Sequence, residues 1–289
     1  MGDTARPLED PTGDDRCRVV CLGDISIERI FRVDAIPDRP IKVQARAYRE
    51  RCGGLAALAA RAIVALGHAA SLHGRLGDDA DGARILARLA QAGIDADGVR
   101  RIPGARTAGT ATIEDPAGRR LRTLFGGSGL AGGSSGIQVD ACARVGAVLV
   151  DARWPQDALA LLDAARARRV PGVLAADAGE PAAIAALAPL AGHVICSAAT
   201  LARVAGTADP LAGLLALAKS GAGSVATLGG GSIAWVADGA LRRVATRMPD
   251  GGYGALCGAY ALAVGRGDPP ETAMRFAADA ALPAEADAG

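Results

Sequence analysis

Short β-branched runs alternate along this chain with Ala/Leu-rich stretches, several of them stopped by a glycine. RVVCLG (18–23) is a buried strand ending in Gly, and GGLAALAARAIVALG (53–67) is a helix closed by Gly67. ASLHG then leads to DADGARILARLAQAG, AVLVDA to PQDALALLDAARARR, and that helix to GVLAADA. HVICS leads to ATLARVAG, and the helix PLAGLLALAKSG to SVATLG. Apolar runs of strand length bounded by turn signals read as buried strands. Strands that alternate with helices require a parallel sheet covered on both faces, because each crossover lays a helix over the sheet.

Two segments break this rhythm. Residues 30–50 and 107–125 are polar, β-prone and hairpin-like, with EDPAGRR reading as a turn between strands. No helix is available to cover either. Both are expected in a small sheet that protrudes as a lid over the carboxyl edge of the main one. GGSGLAGGSSG (126–136) is the single low-complexity patch and reads as a flexible connection from lid to core. The first 16 residues, polar and rich in Pro and Gly, are expected to be a disordered tail before one domain over 17–289. The chain begins Met-Gly, but Arg6 stands where a myristoylation motif needs Ser or Thr.

Composition narrows the class of partner. Lys and Arg total 32 against 31 Asp and Glu, which gives no electrostatic reason to expect nucleic acid or an anionic membrane. Only Lys42 and Lys219 are lysines, so Arg-richness reflects coding bias before function. With 50% hydrophobic and 3% aromatic residues, the core is built from Ala, Val, Leu and Gly in close helix–sheet contact. Six cysteines (17, 21, 52, 142, 196, 257) show no CxxC pair, and His68, His73 and His193 show no ligand spacing. Buried thiols in a reducing cytoplasm and no His/Cys metal site are the expectation. No uncharged apolar run approaches the ~20 residues a membrane span needs.

In open sheets of this kind ligands sit beyond the carboxyl ends of the strands. Four glycine-bearing stretches fall there: 23–28, Gly53-Gly54, 227–232 and 251–254. A glycine-fronted helix N-terminus presents bare N–H groups and a positive dipole end to a phosphate. Taken singly, each stretch reads equally as a structural turn. There is no GxxxxGK[ST] and no GxGxxG after the first strand. Asp78 and Asp79 read as caps of the helix at Gly82. Thr227 and Gly229 fit a nucleotide loop or a tight turn.

In this order the stretches resemble the ribokinase, or PfkB, family of carbohydrate kinases over about residues 18–279. The carriers are GDISIERIFRVDAIP, CGGLAALAARAIVALGHAASLHGRLGDDADG, TAGTATIEDPAGRR, VATLGGGSIAWV and GGYGALCGAYALAVGRG. The resemblance implies a Rossmann-like αβα sandwich with a β-sheet lid, ATP along the late loops and a sugar beneath the lid. It also implies an Asp at the start of the late helix that takes the proton of the attacking hydroxyl, with magnesium on the phosphates. The sugar contacts it implies are Ser26, Glu28, Gly53, Gly54, Leu58 and Arg153. The nucleotide contacts are Ser197, Thr200, Thr227, Gly229 and Ala278, and the phosphate loop is Gly251, Gly252, Tyr253 and Gly254.

Several of these positions depart from the family pattern. Aligned through CGAYALA, the base Asp is Gly254, and the Asp opening the motif is Met248. Asp250 lies four residues ahead of the base position. The sugar-binding Asn is Leu58, an apolar wall, and the Asp of the first motif is Glu28. The N-x-x-E that organises magnesium has become Ser197 to Thr200, and an Asn near adenine has become Ala278. Tyr253 is expected to add bulk where the backbone approaches the phosphoryl group. Glu28 reads either as a sugar contact or as a solvated strand end, and Arg153 as facing substrate or sitting at a sheet edge.

Loss of a general base costs roughly 10²–10⁴-fold. The sequence therefore supports two readings. One is an ATP-dependent sugar kinase, weak or inactive, that uses ATP and Mg²⁺ if active. The other is a non-catalytic pseudokinase that binds nucleotide, sugar or a protein partner. A homodimer formed through exposed lid strands is a further expectation.

Overall fold

A computed structural model describes residues 17–131, 145–219, 221–222, 224–229, 232–237, 239–246 and 252–280. The tail, Cys142, Met248, Asp250, Gly251 and residues 132–136 of the glycine/serine patch lie outside these residues.

Nine strands form the main sheet: β1 (Arg18–Leu22), β4 (Ala69–Gly77), β5 (Asp95–Ile102), β8 (Ala147–Asp151), β9 (Gly172–Ala175), β10 (His193–Ser197), β11 (Ser224–Gly229), β12 (Ser232–Ala237) and β13 (Ala240–Ala245). Their order is β13-β12-β11-β10-β9-β8-β1-β4-β5. The seven strands from β11 to β5 are parallel, as the alternation requires. The last two run antiparallel, which the alternation does not foretell. Gly229 pairs with Ser232, and only two glycines separate them in sequence. A connection that short can only turn the chain back on itself.

Period-two alternation in β1 divides the core into two layers. Val19 and Cys21 point into one, with Ile63, Leu256 and Met274. Val20 and Leu22 point into the other, with Leu161, Ile184 and Leu214. Helices α1 (Leu55–Ala65), α2 (Ala80–Gln91), α7 (Gly252–Gly265) and α8 (Pro270–Ala280) cover the first layer. Helices α3 (Pro155–Ala167), α4 (Pro181–Leu187), α5 (Ala198–Ala205) and α6 (Pro210–Lys219) cover the second. No single helix among the described residues is long and apolar enough to cross a membrane.

A second sheet contains β2 (Ser26–Arg32), β3 (Ala47–Gly53), β6 (Ala108–Glu114) and β7 (Arg120–Phe125), in the order β3-β2-β6-β7. It is mixed, since β2 and β6 are parallel while the other pairs are antiparallel. Its first hairpin differs from the span read in the sequence. The strands begin at Ser26 and end at Gly53, and residues 33–46 carry no strand. Pro37 and Pro40 in that stretch lack the N–H that a ladder needs. The EDPAGRR turn is present, with the Gly118 N–H donating to the Asp115 carbonyl at 3.0 Å.

Helix α7 is buried along almost its whole length, and its closest neighbour is α1. A methyl group on Gly258 would overlap the Ala59 carbonyl of α1. The two backbones approach this closely only because no side chain stands between them. Gly258→Ala is therefore expected to destabilise the protein by about 1–3 kcal/mol through overpacking. That outweighs the ~1 kcal/mol by which Ala favours a helix over Gly. Urea unfolding checks it, and a variant as stable as the wild type would contradict the packing described.

Candidate active site

The order β9-β8-β1-β4 places the topological switch point between β1 and β8. A crevice opens at such a point, because the connections leave to opposite sides. The chain supplies Asp24 just past β1 and Asp151, Arg153 and Trp154 at the end of β8. Asp151 is fully buried. Its two oxygens accept the Asp24 N–H at 2.7 Å and the Arg153 N–H at 2.8 Å. Burial, reinforced by the Asp24 charge, pushes the Asp151 carboxyl up to about 7 despite these two donors. The Trp154 indole donates to the Gly23 carbonyl at 3.2 Å, tying the two strand ends together.

Arg153 sits in this crevice and not at a sheet edge, because β8 lies between β9 and β1. Its guanidinium stacks over Trp154, donates to the Gly126 carbonyl and lies 3.7 Å from Asp24. Burial raises the Asp24 carboxyl pKa, while the Arg153 charge opposes that shift.

Helices α1 and α7 both start at this edge. Gly54 precedes α1 at φ 90°, and any side chain there would overlap the Asp24 carbonyl, so the turn into α1 requires glycine. Four residues on, Leu58 faces the first turn of α7. A methyl group on Gly254 would lie 2.6 Å from the Leu58 Cβ and 3.5 Å from its Cδ1. The two departures noted in the sequence therefore meet in space, with Leu58 occupying the volume a side chain at 254 would enter.

Tyr253 corrects an expectation. Its phenol does not crowd the mouth of α7 but turns down to the sheet, donating to the Ile195 carbonyl at 2.6 Å. Burial pushes that phenol pKa well up, so it remains a neutral donor. Gly252 and Gly254, with no side chains, line the helix start beside it.

Glu28 is not a solvated strand end. It lies in β2, buried, and accepts from the Arg51 Nε at 2.7 Å and the Thr112 hydroxyl at 3.3 Å. Arg122 approaches it at 3.8 Å. Ser26 and Gly53 are register partners at the base of the same sheet. A hydroxyl ligand at Glu28 would share a carboxylate that already carries a buried ion pair.

Further along the edge, Ser197 caps α5. Its Oγ accepts the Thr200 N–H at 3.2 Å and lies 3.2 Å from the Thr200 hydroxyl. Its own N–H donates to Asp177 at 2.8 Å. Thr227 and Gly229 are the closing residues of β11. Ala278 lies in α8, half-buried against the core. Ser197 and Thr200 are neutral and bonded to each other, so they do not fit a magnesium-organising role. The carboxylate at that point is Asp177.

Asp151, Asp177 and Arg51 were not singled out in the sequence. Asp151 and Asp177 had a signal, a carboxylate at or just after a strand. Arg51 had none, because its link to Glu28 depends on the register between β2 and β3. Asp79 accepts the Gly82 N–H at 2.9 Å as the cap of α2, and Asp78 pairs with Arg101.

The pfkB family carbohydrate kinase model matches residues 17–282. A crystal structure of a ribokinase candidate from Agrobacterium tumefaciens superimposes with a TM-score of 0.87 at 31% identity, covering 92% of this chain and 90% of that one. Arabidopsis thaliana ribokinase, complexed with ribose and ATP, superimposes at 0.77 with 21% identity, covering 92% and 91%, and shows a shared fold. An ATP-dependent ribose-1-phosphate kinase from Halopiger xanaduensis is 35% identical over 91 residues. That match covers 32% of this chain and 31% of the relative's length.

The raised Asp151 carboxyl has a pH signature. Between about pH 4, where an unfolded Asp ionises, and about 7, the folded protein binds the extra proton, so this group's stabilisation falls as pH rises. Asn at 151 has no such dependence. The unfolding free energy of wild type minus that of Asp151→Asn is expected to shrink from pH 4 to 7 and level off above. A difference that grows over that range in urea titrations would show the carboxyl is not raised.

Proposed function

This chain belongs to the pfkB family of carbohydrate kinases, and from that premise we propose that it binds nucleotide and sugar but transfers phosphoryl groups slowly or not at all. The observation that carries this reading is the place of Leu58, whose Cβ lies 2.6 Å from where a β carbon at Gly254 would stand. The family's base would have to emerge where a leucine is already packed. The small sheet acts as the lid, with the sugar between it and the β1/β8 crevice, near Ser26, Glu28, Gly53, Gly54 and Arg153. Ribose in the plant ribokinase structure and ribose 1-phosphate in the archaeal kinase's name make pentoses and their phosphates the first acceptors to test. ATP is the donor in this reading, along Ser197, Thr200, Thr227, Gly229 and Ala278, with its phosphates at the start of α7 by Gly252, Tyr253 and Gly254.

Phosphoryl transfer depends on positioning and on electrostatic stabilisation. Helix α7 offers its N-terminal N–H groups and dipole to a phosphate without any carboxylate of its own in the described first turn. The alternative is a non-catalytic pseudokinase that has no turnover and binds nucleotide, sugar or a protein partner.

Phe31, Tyr48, Ile113 and Leu121 are cross-strand neighbours on one face of the small sheet, the face on which Arg29 pairs with Asp81 of α2. Tyr48 and Leu121 are each more than half exposed. We assign this face to pairing between two copies. Sedimentation should find a dimer that Leu121→Glu dissociates, and a wild-type monomer at all concentrations would exclude it.

For the reaction itself, wild type is expected to bind ATP in a thermal-shift assay while releasing ADP far below the ~1–100 s⁻¹ of working kinases. Gly254→Asp alone should lose about 1–3 kcal/mol of stability from overpacking, with little gain in turnover. Leu58→Gly combined with Gly254→Asp removes the clash, and should release ADP faster than either single variant. Ordinary turnover by the wild type, or strong rescue by Gly254→Asp alone, would overturn the proposal.

A further inference from the structure

We propose that Asp24, acting with Arg153, selects a sugar that is uncharged where it meets the β1/β8 crevice, by holding two of its neighbouring hydroxyls. The inference rests on the reading above that a sugar lies between the small sheet and this crevice. Asp24 lies in the turn between β1 and β2, and the parallel pairing of β1 with β8 brings Arg153 beside it. Asp24 is 27% exposed and Arg153 32%, so a ligand in the crevice can reach both side chains.

Charge holds these two side chains together without a hydrogen bond. The Arg153 Nε lies 3.7 Å from the Asp24 Oδ1, beyond hydrogen-bond reach, and that buried Nε has no hydrogen-bond partner. Of the guanidinium nitrogens, Nη2 alone donates among the described residues, to the Gly126 carbonyl. The Asp24 carboxylate accepts no hydrogen bond among the described residues, since it is the backbone N–H of Asp24 that meets Asp151. A carboxylate without donors therefore stands beside a guanidinium whose Nη1 has no acceptor. Partly buried polar groups left in this state are unfavourable unless a ligand completes them. Neighbouring hydroxyls complete both, because a hydroxyl donates and accepts. One donates to Asp24 while the next accepts from Arg153.

The balance of charge disfavours an anion at this point. Asp24 and Arg153 cancel each other. Arg75, which also stacks on Trp154, is matched by Asp157 at 2.9 Å. Asp151 adds nothing when protonated and one negative charge when ionised. Among the described residues no positive charge is left over for a carboxylate or a phosphate. The Trp154 ring and the Gly126 carbonyl hold the guanidinium in place, so its free nitrogen is preorganised. The ligand class is a neutral polyol, read here through two adjacent hydroxyls.

The test uses the full chain and calorimetric titration with ribose and fructose, with ribonate as an anionic counterpart and ATP in parallel. Wild type should bind a neutral sugar saturably and ribonate more weakly. Asp24→Asn should weaken the sugar about tenfold or more, as expected for a lost charge-assisted hydrogen bond. It should also tighten ribonate, because Arg153 is then left without its counter-charge. A packing role alone would weaken both ligands in step and would not change the preference between them. Arg153→Gln should weaken both, ribonate the more, which keeps the idea testable if Asp24→Asn fails to fold. Sugar binding unchanged in Asp24→Asn, or ribonate preferred by the wild type, would overturn this inference and leave the sugar-binding reading standing. No binding of either sugar beside a normal ATP titration would overturn the inference and the sugar half of that reading. Loss of the ATP response as well would overturn the whole of it.

Discussion

Helices α1 and α7 lie against each other with almost nothing between their backbones, and the rest of the site follows from that contact. Gly258 sits over the Ala59 carbonyl, and Gly254 sits over Leu58. Both helices begin at the same sheet edge, so their separation sets the width of the mouth between their N-termini. A helix pair this close excludes any side chain from the inner face of the first turn of α7. The absence of a carboxylate and the presence of a leucine are therefore one packing solution, not two independent losses.

The carboxylates that the chain keeps at this edge serve first to join strands. Asp151 bridges the backbone leaving β1 and that leaving β8 through two N–H groups. Glu28 joins β2 to β3 through Arg51 and to β6 through Thr112. Each is buried and saturated or nearly so, which makes it costly to remove and slow to take on another partner. Such groups shape a pocket by holding its walls, even where they never touch a ligand.

Much of this architecture can be read from the sequence. Helix–strand alternation, the glycines that stop helices and the Asp79 cap are local signals, and the parallel strands and α1 to α3 follow from them. The meeting of Leu58 with Gly254 was legible only as two separate departures. Their contact depends on helix packing across almost 200 positions of chain. Tyr253 was misread because sequence gives a residue's place on a helix but not which of two neighbouring spaces its ring enters, and the Ile195 carbonyl decides that. The burial of Glu28 was not legible for a related reason, since its partner Arg51 is chosen by strand register and not by spacing. The strands β12 and β13 were missed because a glycine run signals a turn without giving its direction.

Four links join the small sheet to the main body, and the two shortest meet at the register pair Ser26–Gly53. One is the stretch from Gly23 to Ile25 that carries β1 into β2, and the other is Gly53-Gly54, which carries β3 into α1. The second link is rigid, since α1 starts within a residue of the strand's end. The place of Leu58, one turn into α1, is thus set directly by where β3 ends. The small sheet and the seam between the helices share one anchor at the paired glycines.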